Sequence, residues 1–318
     1  MDLSGISLQT IGRYGPLVGL IAIFIAFSVL TENFFTVENQ INVLIQSSVI
    51  GILAIGVTFP ILCAEIDLSI ASVMEFTGLT IATLAVGART FSGLGVPTPV
   101  AIVTGLLIGA FLGAVSGYVT ARFDVPSFMS TLAILFLADG LGLIVSGGRP
   151  LTGLPDLLVV FGGSEIAGFP VIVLVFLSLL IASQFILSYT RFGLYIYSVG
   201  SDREATELMG INVYQVRMGV LIISGLFAVI AGIVTLGRLG SAVPRMGANL
   251  LLPPIAAVIL GGANLFGGSG NMGGTLIGVL ILGMLSNGLN LMGVDPAGQL
   301  VAQGIVLMLA LLGNVLGR

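Results

Sequence analysis

The chain has 318 residues, of which 57% are hydrophobic and only 8% charged, with a mean hydropathy of +1.18; that is too little charge to wet the surface of a soluble domain. A net charge of −4 argues against nucleic-acid binding. Histidine is absent, the only cysteine is Cys63 and all ten basic residues are arginines, which leaves no internal disulfide, no zinc cluster and no lysine for a phosphate-gripping loop, and no cofactor is expected.

The apolar runs are continuous rather than alternating, so they predict membrane-spanning helices and not a closed β-barrel. Ten spans are expected, near 15–30, 43–62, 70–87, 98–119, 127–146, 170–187, 218–236, 250–262, 274–291 and 299–314, within a single transmembrane domain covering 1–318. The first run follows Arg13 and is succeeded by Thr31-Glu32-Asn33-Phe34 instead of a small-residue cleavage motif, so it reads as a retained helix and not a signal peptide. Gly105, Gly109, Gly113 and Gly117 recur every four residues and lay a flat strip along one helix face, which predicts close helix packing.

Two hydrophilic stretches interrupt the spans. Residues 147–169, with Gly147, Gly148, Pro150, Gly153 and Pro155, read as a periplasmic loop. Residues 188–217 carry Arg191, Arg203 and Arg217 and read as a cytoplasmic loop. Inside it Ser201-Asp202-Arg203-Glu204 has the Ser-x-x-Glu pattern of a capping box, and Gly210 is placed to stop the helix that follows. The resulting helix, Arg203 to Met209, is too short to stand alone in water and is expected to dock, either on a partner or on lipid headgroups.

Charges at membrane depth are costly, about 2.5–3.5 kcal/mol each on insertion scales, so Glu65, Asp67, Glu75 and Asp139 are candidate functional groups. Asp67 either caps the helix after it or lies on a solute path. Asp139 sits within a span and must face a cavity, a partner helix or an arginine. Gly268-Ser269-Gly270-Asn271-Met272-Gly273 satisfies a dinucleotide fingerprint but joins two apolar spans with no β-strand before it, so it reads as a loop. Ser269 has no histidine base to activate it.

Several stretches together resemble the permease subunits of ribose-type sugar ABC importers. Glu65-Ile66-Asp67-Leu68-Ser69-Ile70-Ala71-Ser72 is similar to that family's Gly-Ile-Asp-Leu-Ser-Val-Gly-Ser, and Thr131-Leu132 with Gly140-Leu141 to its Thr-Leu…Gly-Leu helix. Tyr197 to Val213 resembles the ATPase-contacting loop. The most specific series is Ile255-Ala256-Ala257-Val258-Ile259-Leu260-Gly261-Gly262, Gly267-Gly268, Gly274-Thr275-Leu276-Ile277-Gly278 and Asn287-Gly288-Leu289-Asn290-Leu291.

The resemblance implies an all-α permease of the vitamin-B12-importer (type II) fold in the bacterial inner membrane. It also implies three kinds of partner besides lipid: a second permease subunit, identical or not, a cytoplasmic ATP-binding subunit and a periplasmic solute-binding protein that delivers a monosaccharide. Ser201, Asp202, Arg203, Glu204, Ala205, Thr206, Leu208 and Gly210 would form the ATPase-coupling element. Asp67, Ser69, Glu75, Asp139, Asn264 and Asn287 are the candidates for the translocation path. Glu65 stands where the family usually has glycine, Asp139 where arginine is common, and Leu251 and Pro253 where acidic residues are frequent; these departures bear on the solute more than on the machinery. Glu204 and Glu207 imply a basic partner surface. The competing reading is a proton-coupled secondary transporter in which Glu75 or Asp139 titrates.

Overall fold

The computed structural model describes residues 8–87 and 93–316. Among these the helices are α1 (Leu8–Leu30), α2 (Val37–Leu62), α3 (Ile70–Ala85), α4 (Thr98–Phe123), α5 (Ser127–Ser146), α6 (Asp156–Gly163), α7 (Val171–Tyr189), α8 (Arg191–Ser201), α9 (Arg203–Leu208), α10 (Val213–Leu239), α11 (Leu252–Leu260), α12 (Met272–Leu291) and α13 (Pro296–Leu316). Short strands β1 (Leu151–Thr152) and β4 (Ser241–Ala242) pair antiparallel, as do β2 (Glu165–Ile166) and β3 (Phe169–Pro170).

Among the described residues six helices, α2, α4, α5, α7, α10 and α12, are long and apolar enough to cross a membrane. Residues 15–30, α3 and residues 296–309 are apolar but shorter. The expected span at 250–262 contains only the nine-residue α11, which rises about 14 Å at 1.5 Å per residue against roughly 30 Å of hydrocarbon. Pro253 and Pro254 fall in its first turn, where a missing amide costs nothing, and they bar any helix running up to them from the segment before.

The buried helices α2 and α10 form the centre. α10 packs against α2, α3, α4 and α6, while α2 also carries α7, α11 and α12. α5 leans on α3 and leaves a broad apolar face exposed. The glycine strip on α4 does what its spacing predicts. Gly109 meets Gly225 of α10, Gly113 meets the Leu221 carbonyl and Ile222, and Gly117 meets the backbone of Met218, so the two main chains lie in direct contact.

Both hydrophilic stretches contain more helix than their composition suggests. Within 147–169, α6 begins after Pro155 with Asp156 in its first turn and lays Gly162 against Gly237 at the end of α10. The stretch 188–217 holds two helices, because Thr190 caps α8 by accepting from the Gly193 amide at 3.2 Å. The predicted capping box is displaced by one residue. Ser201 is spent as the last residue of α8, and the Asp202 carboxylate caps α9 by accepting from the Ala205 amide at 2.9 Å. Gly210 ends α9 as expected: at φ +80 it sits where a Cβ would be strained, and Ile211 N–H reaches back to the Thr206 carbonyl at 3.4 Å.

Two non-helical segments enter the bundle. Residues 63–69 join α2 to α3, and their Asp67 accepts from the Ser224 hydroxyl, near the middle of the 27-residue α10. Residues 243–251 run between β4 and α11 and bring Gly247 against Ala71 and Glu75 of α3. Backbone of this kind inside an apolar bundle survives only where protein or a polar cavity satisfies it.

Candidate functional site

The two irregular segments meet at one place. Glu75, buried on α3, accepts from the Arg245 amide at 2.6 Å and the Gly247 amide at 3.1 Å, so one carboxylate holds the turn that Arg245 makes at φ +65. Beside this clamp is a cavity of about 320 Å³ between α3, α5 and 243–251, lined by Ser72, Glu75, Asp139, Arg245 and Leu251 among others. That volume lies at the low end of the roughly 300–1,000 Å³ of small-molecule sites. On the other side of the same segment an apolar cavity of about 340 Å³ is lined by Leu252, Pro253, Leu282, Leu300 and Gln303, and shares Ala248 and Leu251 with the first.

Glu75 and Asp139 therefore reach one cavity from different helices. Asp139 lies on the exposed face of α5, among Phe136, Leu137, Leu143 and Ile144. Asp67 and Ser69 stand at the root of α3. Asp67 is not the cap of that helix. Its Oδ1 accepts from the amide and hydroxyl of Ser69, each at 2.7 Å, and its Oδ2 accepts from Ser224 at 2.6 Å. Asn264 and Asn287 are spent elsewhere and line neither cavity. Asn264 folds its own loop, accepting from Phe266 N–H and donating to the Gly267 carbonyl. Asn287 exchanges two amide hydrogen bonds with Asn39, at 2.9 and 3.0 Å, and ties α12 to α2.

The end of the bundle that carries α8 and α9 holds a charge network. Arg217, buried in α10, donates from Nε to Glu65 and from Nη1 to Asp124 at 3.0 Å. Arg203, the first residue of α9, donates to the same two acids, at 2.9 Å to Asp124 and 3.5 Å to Glu65. Asp124 is the exposed left-handed residue closing α4, and the Arg217 hydrogen bond is the largest cause holding its carboxyl below the usual carboxylate range. Sequence reasoning missed this cluster, since Glu65 and Arg217 lie 152 residues apart. The available signal was thrift: in so apolar a chain a buried acid must find a donor, and an arginine buried in a neighbouring helix is one such donor.

The coupling candidates surround that network. Thr206 is buried and bonds the Asp202 carbonyl at 2.6 Å, whereas Ser201, Asp202, Glu204, Ala205 and Gly210 face outward, with Leu208 and Met209 at 89% and 67% exposure. The loop 261–271 ties the ends of α2 and α8 together beside these residues. Gly268 N–H donates to the Leu62 carbonyl, and the Tyr197 hydroxyl of α8 donates to the Gly270 carbonyl at 2.8 Å.

Broken backbone beside a charged cavity within a helical bundle recurs in membrane transporters. The chain belongs to the permease family described as "Branched-chain amino acid transport system / permease component", which matches residues 39–311, and within it to the ribose-type permeases of ABC importers. It is 40% identical to the ribose import permease RbsC of Escherichia coli K12, over 93% of this chain and 91% of that one. It is 37% identical to the Haemophilus influenzae ribose import permease, over 94% and 92%, and 33% identical to the fructose import permease FrcC of Rhizobium meliloti, over 93% and 83%. No solved structure matches the chain.

Proposed function

We propose that this chain is the translocation subunit of an ATP-driven importer and passes a monosaccharide-like solute, delivered by a periplasmic binding protein, past Glu75 and Asp139. The observation that carries the reading is α9, a six-residue helix closed at both ends by Asp202 and Gly210 with Leu208 and Met209 held in the open. A helix this short needs a partner, and exposed apolar side chains on it supply a docking face. The relatives are ribose, fructose and xylose permeases, and carboxylates facing a cavity of this size are acceptors for sugar hydroxyls.

On this reading α9 lies in the cytosol against the ATP-binding subunit, and α6 with the paired strands lies on the periplasmic side. Residues 243–251 and α11 together make one crossing, which gives ten crossings in a vitamin-B12-importer type of fold. A second permease subunit faces α5. Nucleotide favours one of two pre-existing permease states by binding it more tightly.

The test is uptake into liposomes, with labelled ribose, fructose and xylose as probes. Import is expected only when the ATP-binding and solute-binding subunits and ATP are all present, and Gly210→Pro and Ala205→Arg are expected to abolish it while the protein stays in the membrane. Uptake by the lone chain driven by a pH gradient would establish the proton-coupled alternative instead.

A further inference from the structure

We infer that the Glu65–Arg217–Asp124–Arg203 network is the linkage that carries movement of α9 to both walls of the Glu75–Asp139 cavity. The inference rests on the reading of α9 as the ATPase-docking element.

Two features of the four charges are costly. Arg203 stands at the first position of α9, where the helix dipole disfavours a cation, and Arg217 is buried with Glu65. Each arginine spans the same two acids, so α9 and the start of α10 share one pair of anchors. The anchors lie at the roots of different walls. Glu65 belongs to 63–69, which leads into α3 and Glu75, and Asp124 belongs to the turn that leads into α5 and Asp139.

Those two roots are sewn to each other. Ile66 N–H donates to the Ser127 hydroxyl at 2.8 Å, Leu68 N–H donates to the Thr131 hydroxyl at 3.1 Å, and that hydroxyl reaches the Ile66 and Ser127 carbonyls at 3.2 and 2.8 Å. Asp67 then fixes 63–69 to α10 through Ser224. A displacement of Arg203 consequently pulls on α3 and α5 together, through charge-assisted bonds that do not stretch far before breaking.

The readout should need no knowledge of the solute. In a Cys63→Ala background, Leu143→Cys places a thiol at the cavity, and its rate of modification by a water-soluble maleimide is measured in the reconstituted complex with and without ATP and vanadate. The parent is expected to change rate about tenfold between the two conditions, and Asp124→Ala to reduce the change below about twofold while the ATP-binding subunit still co-purifies. Asp124→Glu should restore the response, which a merely structural defect would not predict. Asp124 is exposed but left-handed at φ +52, so Asp124→Asn, which tolerates that backbone, is assayed beside Asp124→Ala; it, Glu65→Gln and Arg203→Ala should all behave as Asp124→Ala does. A nucleotide response of unchanged size in Asp124→Ala and Glu65→Gln, or none in the parent, would overturn the linkage. Failure of the parent to capture the ATP-binding subunit would instead overturn the reading of α9.

Discussion

Glu75 answers two backbone amides with its two oxygens, and no other acceptor replaces it in the turn at 245–247. Glu75→Ala strands both amides and is expected to lower stability by roughly 2–4 kcal/mol, with Glu75→Gln losing less because it keeps one acceptor. Thermal unfolding in detergent checks this, and equal melting of the alanine variant and the parent would show the turn has other support. Asp124 gives a pH signature. Its carboxyl is held low by the Arg217 hydrogen bond, so its stabilising contribution is complete above the unfolded carboxylate value of about 3.9 and fades as pH falls through the depressed folded value. Asp124→Asn should therefore cost a little at pH 7, below about 1 kcal/mol for so exposed a group, and the gap should close under acid, as seen by melting the two proteins side by side. Residue identity alone announced that the buried acids matter, but not which amide or arginine each would meet. Asp67 illustrates the limit: a serine two residues away takes one of its oxygens and another on α10 takes the other, and only the folded chain brings Ser224 near.

Helices α4 and α10 show the opposite case. A four-residue glycine period is local information, and it specified a contact face without knowledge of the partner helix. Gly113→Leu is expected to push α4 off α10 at a cost of about 1–3 kcal/mol, because the added atoms meet backbone that cannot rotate away, whereas Gly304→Ala on α13, with open space around it, should melt no lower than the parent. Thermal shift of the two variants separates these outcomes. α9 was legible through its start and stop residues. Its cap fell to Asp202 because α8 absorbed Ser201, and the extent of one helix is not written in the sequence of the next. α6 and α8 were missed because glycine, proline and arginine lowered the apolar signal of segments that pack beside the bundle rather than through it. α11 was legible as an apolar run but not as a half-length helix, since its preceding turn is set by Glu75, some 170 residues earlier.

For the molecule as a whole, Asp139 on the open face of α5 is a misfit for lipid, where a carboxylate at depth costs about 2.5–3.5 kcal/mol. The second permease subunit proposed above, placed over that face, would resolve the misfit. In a cysteine-free background, Gly140→Cys should then form copy-to-copy disulfides under mild oxidation in membranes if the two subunits are identical, while Phe185→Cys on the exposed side of α7 should not, as non-reducing gels will report. Overall class was readable from composition because greasiness is a bulk property, whereas the cavity was not, because it is assembled from 71–75, 135–143 and 245–251. The glycine seam has a mechanical corollary. Where main chains touch with no side chain between them, there is no rotamer to flip and nothing to lubricate sliding, so α4 and α10 behave as a single stiff lever. Any rocking between outward and inward shapes then moves α4 and α10 as one piece, and 63–69, bonded to Ser224 of α10, travels with them.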